Sequence, residues 1–438
     1  MQKIRFKLKV ITPMFLSGVD QLVAETRPAS LKGILRYWYR ILIANKYASQ
    51  FDITEPDDWM DYEKWANKNL WQKVYEDEGE LFGTQDKAGK VWIRMGKIER
   101  RLTASDIKKW VENDLGRKLM YIGYGAILSV DPSDPKYSYL RNLYQNGKKV
   151  GPVRGYFSPD SKFTEPIFVI DGWDVEFILM DKSYKDKLIG LLWFVSMFGS
   201  LGSRSRKGWG SFYLVPKDDD FGFHSWEFTT PEDFRSDLIK ASSFLGLESL
   251  RNIEIYMSNT LKNNDLVSIL LNFSYKYEDF LKNEIEKRER IIFGLPRNLK
   301  IFIKDFKRDY IKLLKWALSY VLNKRRASMV HFKIIKIKNE YKIMLIISKS
   351  PLFYKEIGKE LKAYLSNRLK KEIERLQKKE KKSDKELTSL QVYTRLINDN
   401  TAISKVTDFV VKYLFEEIKV GNFKEFFKDW ELNGVNIP

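Results

Sequence analysis

A chain of 438 residues that alternates β-like and helical patterns, with helices placed to cover one side of an antiparallel sheet, reads as α+β. Three observations support this reading. Apolar residues alternate with cations at the start of the chain, helical periodicity follows, and a second pair of β-like runs recurs after residue 330. The order strand, helix, strands, helix, loop, strand across residues 1–215 predicts a first unit of ferredoxin-like type that carries a glycine-rich loop. Residues 216–438 predict a second ferredoxin-like unit with helical insertions and a helix-rich tail.

Lys3, Arg5, Lys7 and Lys9 alternate with Ile4, Phe6, Leu8 and Val10, so a strand with one buried face opens the chain. Thr12-Pro13 interrupts pairing. Leu31, Ile34, Leu35, Trp38 and Leu42 then fall at helical spacing, with Ser30 placed to cap the helix. Ile167–Ile170 and Val175–Leu179 flank Asp171-Gly172-Trp173-Asp174 and predict a hairpin turning on that tetrapeptide. A helix is predicted over Lys185–Phe198, a loop over 199–211, and a strand over Phe212–Val215. Pro216-Lys217-Asp218-Asp219-Asp220 marks a unit boundary, because it joins a strand breaker to a charge run. A largely helical, polar stretch is expected to about residue 290, then a helix near Tyr310–Leu322 and a strand pair, Val330–Ile337 and Tyr341–Ile347, turning at Asn339-Glu340. Lys355–Lys382 carries 11 basic and 5 acidic side chains and reads as a solvated helical arm.

Composition excludes several functions. The absence of cysteine removes disulfides, thiolate metal sites and cysteine nucleophiles. With only His224 and His331, histidine chemistry would have to be sparse; an aromatic neighbourhood around His224 and a strand-initial place for His331 favour structural roles. No catalytic residue, cofactor, metal or small-molecule substrate is expected. The longest apolar stretch, Leu188–Gly199, spans 12 residues, short of the ~20 a membrane span needs, so a cytoplasmic protein without a membrane partner is expected. The 77 Lys+Arg against 58 Asp+Glu give a net charge of +19, spread over both halves (34 against 26 in residues 1–215, 43 against 32 thereafter), which favours a polyanion as partner. Nucleic acid leads.

Two elements could meet it. The loop Gly199–Gly210 combines four glycines, which permit positive φ and close backbone approach, with Arg204, Arg206 and Lys207 as cations and Ser203 and Ser205 as hydroxyl donors. It is neither a Walker loop nor a Rossmann fingerprint, since it leaves a helix and enters a strand and lacks the Lys-Ser/Thr pair. Lys32, Arg36 and Arg40 recur every four residues on the first helix, beside Tyr37 and Tyr39, whose rings can stack on bases.

Thr12-Pro13-Met14-Phe15-Leu16-Ser17-Gly18 and Arg27-Pro28-Ala29-Ser30-Leu31-Lys32-Gly33-Ile34-Leu35-Arg36-Tyr37-Trp38-Tyr39-Arg40 resemble the N-terminal signature of RAMP proteins of the Cmr type. Glu80-Leu81-Phe82-Gly83-Thr84, the Leu201–Gly210 loop, Gly294-Leu295-Pro296-Arg297 and Arg325-Arg326-Ala327-Ser328 match further blocks. The whole is most similar to the first-subunit family of type III-B CRISPR effector complexes. The resemblance implies two ferredoxin-like (RRM-like, RAMP) domains and an RNA-binding architectural role in antiviral defence. Implied partners are guide RNA near its 3′ region, target RNA and other RAMP-type subunits. It assigns RNA contact to Ser203–Gly210 and to Lys32, Arg36 and Arg40; Arg297, Arg325 and Arg326 belong to a second block that serves RNA or holds domains together. A RAMP-fold endoribonuclease processing precursor guide RNA, and a scaffold without RNA contact, are the alternatives.

Overall fold

The alternating cations and apolar residues at the start do form an extended strand, and its apolar side seeds the core. In the computed structural model, residues 1–21, 23–55, 58–59, 70–101, 155–157, 172–258, 266, 269–270, 310–323, 330–338, 340–349, 355–379, 381–416 and 433–435 are described. The first half contains β1 (Gln2–Val10), β2 (Met14–Phe15), β3 (Val23–Glu25), α1 (Pro28–Ala48), α2 (Leu70–Phe82), β4 (Val91–Met95), β5 (Glu99–Arg101), β6 (Tyr156–Phe157), β7 (Gly172–Leu179), α3 (Lys185–Phe198) and β8 (Phe212–Pro216). The second half adds α4 (Pro231–Phe244), β9 (Ile253–Met257), α5 (Ile311–Asn323), β10 (Val330–Ile337), β11 (Glu340–Ser348), α6 (Lys355–Gln377), α7 (Asp384–Asn398), α8 (Asn400–Glu416) and β12 (Asn433–Val435).

Two four-stranded antiparallel sheets organise these elements. The first runs β4-β7-β1-β8 and the second β10-β11-β9-β12. Counted along the chain, each sheet reads second, third, first, fourth, so one strand order occurs twice. Ile4, Phe6, Leu8 and Val10 are buried on the inner face of the first sheet, while Lys3 and Arg5 stand exposed on the other. α3 is apolar on nearly every side and is buried from Leu188 to Phe198, as expected of a helix covered all round. Gly190 lets α4 approach it; a Cβ there would sit 2.7 Å from the Ala241 carbonyl oxygen.

The residues after Pro216 pack back on the first sheet and its helices. Arg5 donates to Asp218 through two nitrogens, Lys217 pairs with Asp174 at 2.7 Å, Trp226 packs on Phe6 at 5.0 Å, and Phe223 stacks on Trp193. The halves are stitched at two further points. Asn45 of α1 donates to Asn252, whose amide in turn donates to the Ile41 carbonyl. Lys333 of β10 reaches into the end of α3.

Three elements differ from the sequence reading. α1 begins at Pro28 with Arg27 as its uncapped N-cap residue, so proline at the first helical position replaces the expected Ser30 cap. Gly172 and Trp173 are strand residues of β7, not a turn: Gly172 takes φ +138° and lies so near Leu8 that a Cβ would be 1.8 Å from its carbonyl oxygen. The hairpin partner Ile167–Ile170 lies outside the described residues. Ile253–Met257 is a strand inside the stretch expected to be helical.

Candidate nucleic-acid interface

The glycine-rich loop is a rigid brace between the two halves. Its sharp reversals need the left-handed backbone region, occupied by Gly202, Gly208 and Gly210. A side chain at Gly202 or Gly210 would strike the carbonyl oxygens of Phe15 or Leu201, at 2.3 and 1.8 Å. Arg204 adopts φ +60° without that freedom, a conformation disfavoured by about 1–2 kcal/mol and held here by the surrounding bonds. On one side the Ser203 amide donates to Phe15, the Gly210 amide to Pro13, and the Thr12 hydroxyl to Gly208. On the other side Phe332 of β10 donates to the Arg206 carbonyl and accepts from the Gly208 amide, both at 3.0 Å. Ser211 closes the joint: its hydroxyl donates to Gly208 and accepts from the Ile334 amide.

The side chains follow from this frame. Arg206 lies over the ring of Tyr37, 5.1 Å from its centroid, and the Tyr37 hydroxyl is 2.8 Å from His331 Nε2. His331 packs on Trp38 at 5.0 Å and is buried. Burial, with Arg206 adding to it, pulls its pKa well below the ordinary histidine value, which favours the neutral ring beside the Tyr37 hydroxyl. Burial raises the Tyr37 pKa and Arg206 opposes this. Arg206 brings the loop against α1, and the Tyr37–His331 contact joins α1 to β10, a pairing that the sequence reading missed.

The helix stripe divides. Arg36 and Arg40 both donate to Glu78 of α2, Arg40 through Nε at 2.7 Å, and Glu78 is only 1% exposed. One carboxylate for two guanidinium groups leaves one excess positive charge, and Lys32 one turn away adds another. Partial burial, then the nearby Arg36, lowers the Lys32 pKa. Glu78→Gln is expected to destabilise the chain by about 2–4 kcal/mol, because the two part-buried cations lose their shared counter-charge. A urea midpoint equal to that of the parent would refute it. Next to Glu78, burial pushes the Asp77 pKa up, but bonds from Tyr39, Tyr47 and Lys187 outweigh it and lower the value overall. Ser203, Arg204, Ser205, Arg206 and Lys207 are all part-exposed. Arg297, Arg325 and Arg326 lie outside the described residues.

Lys333 carries the strongest unforeseen interaction. Completely buried, its ammonium donates to the carbonyls of Ser196, of Gly199 at 2.9 Å and of Phe212 at 2.7 Å. Two of these acceptors lie at the carboxyl end of α3, where the helix dipole favours a cation, and the third is at the start of β8.

His224 sits elsewhere, half-exposed, with Nδ1 2.9 Å from Asp237, which also accepts from the His224 and Ser225 amides. That hydrogen bond raises its pKa. The two histidines therefore act with opposite sign. The His224 contribution is present below pH ~6.5 and lost as pH rises through its raised folded value, whereas the His331 contribution is present above pH ~6.5 and lost as pH falls. His224→Gln is expected to flatten the loss of urea stability on the alkaline side, and His331→Gln that on the acid side; unchanged pH profiles would contradict the assignment.

The segment bounded by β1 and β8 holds the first sheet, the helix stripe and the loop. It matches the RAMP superfamily over residues 7–213. Likeness extends along more of the chain. The chain is 26% identical over 329 residues to the CRISPR system Cmr subunit Cmr1-1 of Pyrococcus furiosus, covering 69% of this chain and 80% of that one. It is 22% identical over 208 residues to Cmr1-2 of the same organism, covering 47% and 91%. Among solved structures it is similar to Cmr1 from Pyrococcus furiosus in the apo form, with a TM-score of 0.44, 21% identity and coverage of 80% and 88%. It is also similar to a chain of the type III-B Cmr-beta complex bound to cognate target RNA, with a TM-score of 0.48, 15% identity and coverage of 83% and 99%.

Proposed function

We propose that this chain is an RNA-binding architectural subunit of a type III-B CRISPR effector complex. In this reading both sheets belong to ferredoxin-like units, the first extended by α4, and the partners are guide RNA, target RNA and other RAMP-type subunits. The proposal is supported by the RAMP match together with the likeness to two Cmr subunits. One observation carries the RNA contact: Arg204, Arg206 and Lys207 are part-exposed on a backbone fixed on both sides, so binding there carries no backbone ordering penalty. Lys32 and the uncompensated charge of Arg36 and Arg40 extend the positive surface, and Ser203 and Ser205 offer hydroxyls to phosphate or ribose. Arg297, Arg325 and Arg326 are assigned to the same role or to the join between units. Base pairing by the guide then reads sequence, and the chain holds backbone.

The test is filter binding of the full chain to a labelled, repeat-derived guide RNA over a range of KCl, with and without EDTA. Binding whose logarithm falls linearly with that of salt is expected, with intact RNA recovered. Discrete cleavage products would overturn the architectural role in favour of a processing endoribonuclease. Absence of binding, with RNA crosslinking only to partner subunits in the assembled complex, would make the chain a scaffold.

A further inference from the structure

The outer face of the first sheet, opposite α1 and α3, carries a feature the loop site does not use. Trp92 of the edge strand β4 is 57% exposed, whereas the other tryptophans among the described residues are buried or part-buried. Register puts Trp92, Ile178 and Lys3 in one row across β4, β7 and β1, and Arg94, Glu176 and Arg5 in the next. Ile178 is buried between its exposed neighbours, and Met180, just past the end of β7, is 44% exposed. The indole therefore shares its face with the apolar side chain of Ile178, its neighbour in the row. Around it stand Lys3, Arg5, Lys7, Arg94 and Lys217 against Asp174, Glu176 and Asp218, an excess of two positive charges. Glu176 lies 3.7 Å from Lys3 and 3.5 Å from Arg94, and the two cations' side chains are 54% and 70% exposed.

A single exposed apolar side chain is ordinary. An exposed indole on a rigid sheet, flanked by Met180 and by cations spaced along two adjacent rows, has the two elements that single-stranded RNA needs: a stacking plane for a base and positive charge for the phosphates beside it. We propose that this face binds an unpaired nucleotide of RNA, with Trp92 as the stacking platform and Lys3 and Arg94 as phosphate contacts. The inference rests on the reading that the chain binds RNA, and adds to it a second site on the opposite side of the sheet from the helices.

The experiment uses the full chain and a fluorescein-labelled oligouridylate, which is unstructured in solution, with Trp92→Ala, Trp92→Phe and a loop variant lacking Arg204, Arg206 and Lys207. Trp92→Ala is expected to weaken binding about 5- to 100-fold, the effect of losing one stacked base. Trp92→Phe, which keeps a ring, is expected to restore most of it. Thermal unfolding of both variants should match the parent, since the side chain is largely in solvent. Parent-like affinity of Trp92→Ala, or equal loss in Trp92→Ala and Trp92→Phe, would overturn the proposal while leaving the loop assignment intact. If only the loop variant is parent-like, the loop assignment falls and the sheet face stands. A parent chain that binds no oligouridylate overturns both.

Discussion

Lys333→Met is expected to lower the stability of the chain by about 3–5 kcal/mol, the largest loss from any one side chain considered. Methionine preserves most of the stem volume, so the change is not chiefly a cavity. It strands three carbonyls, from Ser196, Gly199 and Phe212, that the ammonium alone satisfies in a fully buried place. Two of the three lie at the end of α3, so the loss also removes the cation that answers the helix dipole. Because Lys333 belongs to β10 while its acceptors belong to α3 and β8, the loss falls on the join between the halves. Burial pulls the Lys333 pKa below its ordinary value, while the three carbonyl acceptors favour the protonated amine. A urea midpoint shared by the two proteins at neutral pH would sink the account.

This lysine shows which parts of the molecule a sequence exposes. Patterns within one element were readable: the two-residue period of β1, the helix Lys185–Phe198, found with those bounds, and the pair β10 and β11. Each is set by local propensity and by burial of a face that the element itself displays. β9 was not readable, because five residues of Ile-Glu-Ile-Tyr-Met become a strand through pairing with β11, some 90 positions away, and with β12. Lys333 and Glu78 likewise take their meaning from partners 121 to 137 and 38 to 42 positions distant. A trace existed: a lysine inside the apolar run Val330–Ile335 is costly unless it is bonded, which marks it as an anchor. The stripe Lys32, Arg36, Arg40 was read correctly as one face of a helix, but spacing along a helix says nothing of the carboxylate that packs against it.

The second large effect concerns the loop. Replacing Arg204, Arg206 and Lys207 together by alanine is expected to weaken guide RNA binding by about 3–6 kcal/mol at low salt, at roughly 1–2 kcal/mol for each charge-assisted contact. The slope of log affinity against log salt should fall by about 2, because each lost contact with a single strand releases ~0.7 fewer counterions. The backbone frame argues that this loss is local. The loop is held by main-chain bonds to Phe15, Pro13 and Phe332 and by the hydroxyls of Thr12 and Ser211, none of which alanine removes. Arg206 also lies over the Tyr37 ring, and the part-buried Tyr37–His331 contact does not depend on it. Arg206→Ala alone should thus show a small shift in thermal unfolding beside its share of the affinity loss, whereas Arg204→Ala should leave the φ +60° strain in place, since alanine keeps the Cβ that causes it. An unchanged salt slope in the triple variant, with its unfolding profile intact, would mean that these cations face something other than phosphate.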